Sequence, residues 1–145
     1  MRTFQAVYYR APDGSEPVND FIDRLSAKRQ VVLDKQISRL NMLTPDDPHL
    51  PFPHSSQLEG ELRELRCHYG RELYRVLYRR SRSLFVLLHM FRKDAGAIPK
   101  TEIRVAQKRW SDFKARMDAD RRRPPRPLGH DAPWARHIAG PYQEW

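Results

Sequence analysis

The sequence predicts an α+β domain in which helices pack against an antiparallel β-sheet. Three segments with the composition of β-strands follow one another between residues 62 and 91, and very short connections separate them. Connections of this length join antiparallel neighbours. Two amphipathic helical patterns precede these strands in the chain and one follows them. The helices can therefore cover one face of the sheet, while the other face is free to stay open.

The first third of the chain is expected to form a strand and two helices. Residues 3–9 alternate β-forming side chains and predict the opening strand. A short helix follows, with Ser15 as its expected N-cap. Its apolar stripe has helical spacing and consists of Val18, Phe21, Ile22 and Leu25. A second helix is expected over residues 28–42, with Ser26 as its N-cap.

The same patterns predict the later elements. The three central strands are expected over residues 62–69, 72–80 and 84–91. Residues 84–88 are all apolar, so the third strand should lie centrally in the sheet. Pro99 then opens the last helix. The packing seam of that helix repeats every three or four residues and consists of Ile103, Ala106, Trp110, Phe113 and Met117.

We expect one folded domain over residues 1–120 and a separate tail over residues 121–145. The tail begins with an Arg- and Pro-rich stretch that cannot continue a helix. Three aromatic residues follow without a periodic pattern: Trp134, Tyr142 and Trp145. The tail is therefore either disordered, or docked on the body or on a partner through these rings.

Positive charge is concentrated in one part of the chain. The formal net charge is +9, and residues 62–116 alone carry 15 basic and 5 acidic side chains. Such a cluster is typical of a protein that binds phosphate groups. A solvated basic surface, or a surface that meets an acidic protein, would give the same pattern.

Several classes of protein are not indicated. No apolar run approaches the roughly 18 residues of a membrane span, and the first residues lack the apolar stretch of a signal peptide. The single cysteine, Cys67, rules out an internal disulfide and a cysteine-built metal site. We therefore expect a cytoplasmic protein without a membrane contact.

Residues 44–57 contain four prolines and predict a loop. The loop also contains four side chains of the types that bind metals: Asp46, Asp47, His49 and His54. Their spacing does not correspond to any regular coordination pattern. We expect neither a metal nor another cofactor.

Alternation along the central strands gathers chemically active side chains on one face of the sheet, because side chains two residues apart share a face. The set consists of Arg66, Arg75 and Lys93, with His68, His89 and Glu64 nearby, and the same alternation places Arg79, Leu87 and Phe91 on this face. Their convergence depends on strand register, which the sequence leaves open. Alternatively, Arg66 and Arg75 are ion-pair partners of nearby glutamates, and His89 is a hydrogen-bonded core residue. Cys67 falls on the opposite face and is interpreted as a packing residue.

This set suits cleavage of an RNA phosphodiester by the adjacent ribose 2′-hydroxyl. The reaction requires a base, cations for the phosphoryl oxygens and an acid. We expect Arg66 and Arg75 to hold the phosphate, because arginine offers it two parallel donors. We expect Lys93 to stabilise the transition state and His89 to transfer protons. Further RNA contacts are expected from Arg63, Arg79, Phe91 and Arg92.

Four segments of the chain, in this order and spacing, resemble a known family. They are Leu58-Glu59-Gly60-Glu61-Leu62-Arg63-Glu64-Leu65-Arg66, Tyr74-Arg75-Val76-Leu77-Tyr78, Val86-Leu87-Leu88-His89-Met90-Phe91-Arg92-Lys93, and Pro99-Lys100-Thr101-Glu102-Ile103 with Ala106. Together they resemble the phage-derived, HigB-like branch of the RelE/ParE toxin superfamily, over roughly residues 2–116. In the matched segments, Arg66 and Arg75 correspond to arginines of the family, and Arg92 and Lys93 to its basic pair.

The resemblance implies a RelE-like fold, with a curved antiparallel sheet, two N-terminal helices and one C-terminal helix, the helices lying on one side. It also implies the toxin of a type II toxin–antitoxin system, an endoribonuclease that cleaves messenger RNA on the ribosome. The implied partners are messenger RNA, the ribosome and a cognate helix-turn-helix antitoxin.

The chain departs from the best-known members at the positions that transfer protons. Leu62 and Glu64 stand where those members carry lysines, and Trp110 or Phe113 cannot replace their C-terminal tyrosine as an acid or base. His89 is then the first choice for proton transfer, with His68 and Glu64 as substitutes. Two other functions are considered, because a shared fold does not fix function. One is a ParE-like toxin that poisons gyrase, and the other is a non-catalytic mobile-element protein that binds its antitoxin or RNA.

Overall fold

The computed structural model of the protein describes residues 2–119 and 125–135, which form a six-stranded sheet with helices on both faces. The helices and strands are, in chain order, β1 (Gln5–Tyr9), α1 (Pro17–Asp23), α2 (Ala27–Asn41), β2 (Ser55–Glu59), β3 (Leu62–Tyr69), β4 (Glu72–Ser81), β5 (Leu84–Arg92), α3 (Lys100–Ala119) and β6 (Leu128–Ala132). The α+β class and the three central strands are as predicted. Residues 120–124 and 136–145 lie outside the described part, and so do Tyr142 and Trp145 of the tail.

The sheet is mixed rather than antiparallel. Its strands lie in the order β2-β3-β4-β5-β1-β6, and β2 to β5 pair antiparallel as consecutive neighbours. β1 pairs with β5 in parallel, with Val7 opposite Val86, so the prediction of a purely antiparallel sheet is wrong. Both N-terminal helices and two hairpins separate the two strands in the chain. Local sequence patterns carry no information about a partner that distant.

Two short edge strands were not predicted. β2 begins inside the segment expected to be a loop, where Ser55 lies opposite Leu65 of β3. β6 lies inside the tail and pairs antiparallel with β1, with Ala6 opposite Ala132. This part of the tail is joined to the sheet by strand pairing, whereas the docking considered from the sequence was through the aromatic rings.

Helices cover both faces of the sheet, which corrects the expectation that they lie on one side. α1 and α2 pack on the first face, where Leu33, Ile37 and Leu40 of α2 are fully buried. α3 packs on the second face, where its residues Ile103, Ala106 and Phe113 join a second buried cluster with Leu77 and Leu88. The second face is therefore open only beyond the part that α3 covers.

The helix ends differ in how well the sequence predicts them. Ser26 caps α2 as expected, since its hydroxyl oxygen accepts a hydrogen bond from the amide of Arg29 at 3.4 Å. Ser15 does not cap α1, because the cap position is Glu16 and Ser15 instead hydrogen-bonds Asp13.

No helix of the described part is long and apolar enough to cross a membrane. In the same part of the chain, no three His, Cys, Asp or Glu side chains are grouped to hold a metal.

Candidate functional site

The strand register brings most of the predicted side chains together on the α3 face of the sheet. Arg66 of β3 lies opposite Arg75 of β4, and Arg75 lies opposite Phe91 of β5. One pair of residues further along, Glu64 lies opposite Leu77, which in turn lies opposite His89. These side chains form two adjacent rows next to the start of α3.

A β-bulge on β5 is needed for this arrangement. The pairing shifts between Leu77 and Tyr78, so that Leu88 is an extra residue in β5. Leu87 packs with the α1–α2 face, whereas Leu88 packs with α3 and His89 bonds to α3. The expectation that Leu87 and His89 share a face is therefore wrong. Strict alternation does not hold across a bulge.

Arg75 is buried, with only 3% of its surface exposed. Its Nε donates to the carbonyl of Lys93 at 3.0 Å and its Nη2 donates to the carbonyl of Gly96 at 2.9 Å. Its Nη1 lies 3.7 Å from a carboxylate oxygen of Glu64. Arg75 thus fastens the segment after β5 to the sheet, and its Nε and Nη2 already have partners.

Arg66 is more exposed than Arg75, and not all of its N–H donors have a hydrogen-bond partner. Its Nη1 donates to Glu64 at 2.9 Å, and its side chain is 17% exposed. Its Nε is buried and has no hydrogen-bond partner in the described part of the chain. The guanidinium also lies 5.0 Å from the centre of the Phe52 ring. Because part of its side chain reaches solvent, Arg66 can contact a ligand while it keeps its bond to Glu64.

His89 is held between two residues of α3. Its Nε2 is 3.0 Å from Glu102 Oε2, and its Nδ1 is 3.0 Å from Nη1 of Arg109. Because a guanidinium can only donate, Nδ1 must accept, and the ring proton lies on Nε2 and is donated to Glu102. Burial lowers the pKa of His89, and Arg109 adds to this, while Glu102 acts in the opposite direction. The imidazole is therefore neutral near pH 7, with a fixed tautomer.

Phe91 and Lys93 complete this side of the sheet. The Phe91 ring lies 5.5 Å from the His89 ring, and both side chains are half-buried. Lys93 is also half-buried, and its backbone amide donates to the carbonyl of Leu73. No bonding partner of its ammonium group is found among the described residues. Lys93 is thus a free cation beside the Arg66–His89 rows.

The remaining predicted residues do not join this group. Arg63 is on the other face, where it donates to Ser55 Oγ and to the carbonyl of Leu50. Arg92 lies opposite Tyr74 on that same face and pairs with Asp94 and Glu72. Arg79 is on the α3 face but is occupied by Glu61 and by the Trp110 ring. His68 is exposed at the end of β3.

Two residues that the sequence analysis did not assign to the site are Glu102 and Arg109. They are seven positions apart on α3, and such a spacing places both on one side of a helix. This spacing was visible in the sequence, but the strand that faces it was not. Tyr9 of β1 also reaches α3, where its hydroxyl donates to Asp112 at 2.5 Å. Burial, followed by this contact with Asp112, raises the pKa of Tyr9 to about 12, so it is a poor proton donor near pH 7.

The arrangement combines a neutral, oriented imidazole with several cations. Glu102 can stabilise an imidazolium, and Arg66, Lys93 and Arg109 can bind anionic oxygens. Proton transfer next to a bound phosphate is the chemistry that such a set can perform.

Comparison with known proteins identifies a family. The family of phage-derived Gp49-like proteins (DUF891) matches residues 20–111, a region that runs from α1 into α3 and includes both rows of the site. No curated protein matches the chain. The Gp49-like family is associated with RelE-like toxins. Because the matched region covers more than half of the sequence, the chain belongs to the phage-derived Gp49-like protein family.

Proposed function

We propose that this protein is the toxin of a type II toxin–antitoxin pair and that it cleaves messenger RNA on the ribosome. Membership of the Gp49-like family supports the toxin part of the proposal. The observation that carries the cleavage part is His89, which is held between Glu102 and Arg109 on the face that also presents Arg66. The proposal includes a helix-turn-helix antitoxin as partner and a cytoplasmic location.

The contacts of His89 support a role as general base. Glu102 holds the Nε2 proton and orients the ring, which is the task of the carboxylate in other carboxylate–histidine pairs. Arg109 occupies Nδ1 in the free protein. A phosphate group would attract the guanidinium, because charge-assisted bonds to phosphate are stronger than a bond to a neutral imidazole. Nδ1 would then be free to accept a proton.

In the proposed reaction, Nδ1 of His89 takes the proton of the ribose 2′-hydroxyl. The 2′-oxygen forms a bond to the adjacent phosphorus, and the bond from phosphorus to the 5′-oxygen breaks. The leaving oxygen takes a proton from the solvent. Arg66, Lys93 and Arg109 stabilise the charge that develops on the phosphoryl oxygens. Arg75 acts as a positioning residue, because it fixes the segment that carries Lys93. The products are a 2′,3′-cyclic phosphate and a 5′-hydroxyl.

The test is to express the protein in bacterial cells and to sequence the new 5′-hydroxyl ends of the RNA. We expect the wild-type chain to stop growth and to produce such ends within messenger RNA. His89→Ala and Arg66→Ala should each reduce cleavage by about 10²–10³-fold, as for other groups that stabilise a transition state. Arg104→Ala, an exposed position on the same helix, is the control and should cleave like the wild type.

A non-catalytic function is the second candidate. Both ring nitrogens of His89 and the donors of Arg75 already have partners within the protein, which would suit a binding protein. Growth arrest without new RNA ends would overturn the cleavage proposal and favour a ParE-like gyrase poison. The absence of both effects would favour a protein that only binds its antitoxin or RNA.

A further inference from the structure

A second basic region lies across the free edge of β3, away from His89. β2 begins at Ser55, and just before it the carbonyl of His54 accepts the last bond from β3, from the amide of Arg66. Beyond that point a cleft of about 310 Å³ separates the edge of β3 from α2. Its polar lining consists of Lys35, Gln36, Arg39, His54, Arg66 and His68. Among the residues that the structure describes, no carboxylate lines it.

The side chain of Gln36 organises this cleft. Its Nε2 donates to the carbonyl of Arg66 at 2.8 Å, which fixes the orientation of the amide. Its Oε1 must then be the atom that accepts from Nε of Arg39, at 2.9 Å. The same Nε2 lies 3.1 Å from Nδ1 of His54, so this ring nitrogen accepts. The proton of a neutral His54 is therefore on Nε2, where it can be donated to a ligand.

The cations of the cleft are largely free. Lys35 is exposed and Arg39 is half-buried, and neither forms an ion pair within residues 2–119 and 125–135. Arg66 bonds to the carboxylate of Glu64, and the exposed part of its side chain is 17%. The cleft thus presents side-chain donors and positive charge, which is the combination that binds phosphate.

An exposed aromatic ring lies at the rim of the cleft. Phe52 is 69% exposed and directly precedes Pro53, which lines the cleft. Its ring is 5.0 Å from the guanidinium of Arg66. An aromatic ring beside cations is the usual arrangement in proteins that bind single-stranded nucleic acids, since bases stack on the ring and phosphates contact the cations.

We propose that this cleft binds single-stranded RNA, with a phosphate between Lys35 and Arg39 and a base stacked on Phe52. The proposal rests on the RNA-cleaving function and adds a path for the substrate. Arg66 belongs both to the cleft and to the rows beside His89, so a strand bound in the cleft leads over the edge of β3 toward the catalytic residues. An acidic peptide would satisfy the cations but would leave Phe52 without a role.

The experiment measures binding of a fluorescently labelled single-stranded RNA to the purified full-length protein, by anisotropy at several salt concentrations. The RNA carries 2′-O-methyl groups throughout, so that it binds but cannot be cleaved. Lys35→Gln combined with Arg39→Gln should weaken binding and reduce the magnitude of the slope of log K against log salt by about 0.7, the value for one lost phosphate contact. Phe52→Ala should weaken binding by about tenfold at an unchanged slope, and Phe52→Trp should restore it.

Lys28→Gln combined with Arg104→Gln is the matched control. Both residues are exposed, lie outside the cleft and carry the same total charge as Lys35 and Arg39. If both double variants lose the same amount of RNA affinity, the loss comes from net charge alone, and the proposal is overturned. RNA binding that is unchanged in the cleft variant would also overturn the proposal. Binding of the methylated RNA does not require cleavage. The assay can therefore support or overturn the cleft even if the wild-type protein does not cleave RNA.

Discussion

Arg75 and Lys35 show that burial decides what a basic side chain can do. Arg75 is 3% exposed and holds two backbone carbonyls and a carboxylate. Lys35 is exposed and has no carboxylate partner in the part of the chain that the structure describes. The sequence identifies both as cations. The segment after β5 folds back over Arg75 and accepts its hydrogen bonds, so Arg75 has a structural role that the sequence does not show.

Arg75→Ala should therefore destabilise the protein. Removal of an exposed arginine that only binds phosphate would have little effect on stability. The substitution leaves the carbonyls of Lys93 and Gly96 unpaired and removes one of the two cations beside the buried Glu64. We expect the free energy of unfolding to fall by about 2–4 kcal/mol in urea titrations. Arg71→Ala, at an exposed position in the turn before β4, should change it by less than about 0.5 kcal/mol. Equal losses in the two variants would show that the buried network contributes no stability.

The residues of the candidate site were partly predictable from strand alternation. Arg66 and Arg75 were assigned to one face, and their pairing in the structure places them there. The bulge at Leu88 could not be predicted, because no turn residue or glycine marks it. Glu102 and Arg109 were missed for another reason. Their role depends on how α3 docks, which is a tertiary contact.

Among the secondary-structure elements, α3 has the largest effect on the site, because it closes the second face of the sheet. Its seam of Ile103, Ala106 and Phe113 is buried against Val86 and Leu88. The same helix presents Glu102 and Arg109 to His89. Stability and the geometry of the site therefore depend on one packing interface.

Phe113→Ala tests this interface. Phe113 is fully buried and its ring stacks on Trp110 at 5.5 Å. Removing a buried phenyl ring leaves a cavity, and we expect a loss of about 3–5 kcal/mol in the free energy of unfolding. Lys114→Ala, at the neighbouring exposed position, should cost less than about 0.5 kcal/mol. If Phe113→Ala costs less than about 1 kcal/mol, α3 does not pack on the sheet as described.

The accuracy of the predicted elements follows the strength of their local patterns. β3, β4 and β5 are rich in β-forming residues and have short turns, and their predicted limits differ from the observed ones by at most one residue. β2 and β6 read Ser-Ser-Gln-Leu-Glu and Leu-Gly-His-Asp-Ala, without apolar alternation. Both are edge strands, whose pairing depends on the neighbouring strand rather than on their own burial.

At the scale of the whole molecule, the net charge overstates the number of free cations. Several arginines of the basic segment have acidic partners: Arg66 and Arg75 with Glu64, Arg79 with Glu61, Arg92 with Asp94, and Arg116 with Asp112. The strongest candidate for an RNA surface instead includes Lys35 and Arg39, in a part of the sequence with a net negative charge. The count of charges along the chain therefore did not point to this region.

At this scale, the described part of the tail is also joined to the body, because β6 pairs with β1 at the edge of the sheet. The carbonyl of Ala132 accepts from the side-chain amides of Asn41 and Gln5, at 2.7 and 3.1 Å. His130 lies 3.0 Å from the carboxylate of Glu16, which is itself buried. Burial alone would raise the pKa of Glu16, but the hydrogen bonds from Arg10, Asn19 and His130 lower it to about 2. The body and this part of the tail are thus joined by several polar contacts.

A chain shortened to residues 1–120 should therefore be less stable than the full chain and more prone to associate. Without β6, the edge of β1 is open to pairing with another copy, and Glu16 loses one partner. We expect a loss of about 2–4 kcal/mol by urea titration, at roughly 1 kcal/mol for each lost hydrogen bond, together with larger species in size-exclusion chromatography. Gly129→Ala should reproduce part of this loss at full length, because its Cβ would lie 2.6 Å from the carbonyl oxygen of Tyr8. A chain shortened to residues 1–135 retains β6 and is the control. If the 1–120 chain matches this control in stability and size, β6 contributes nothing to the fold and the domain ends at α3.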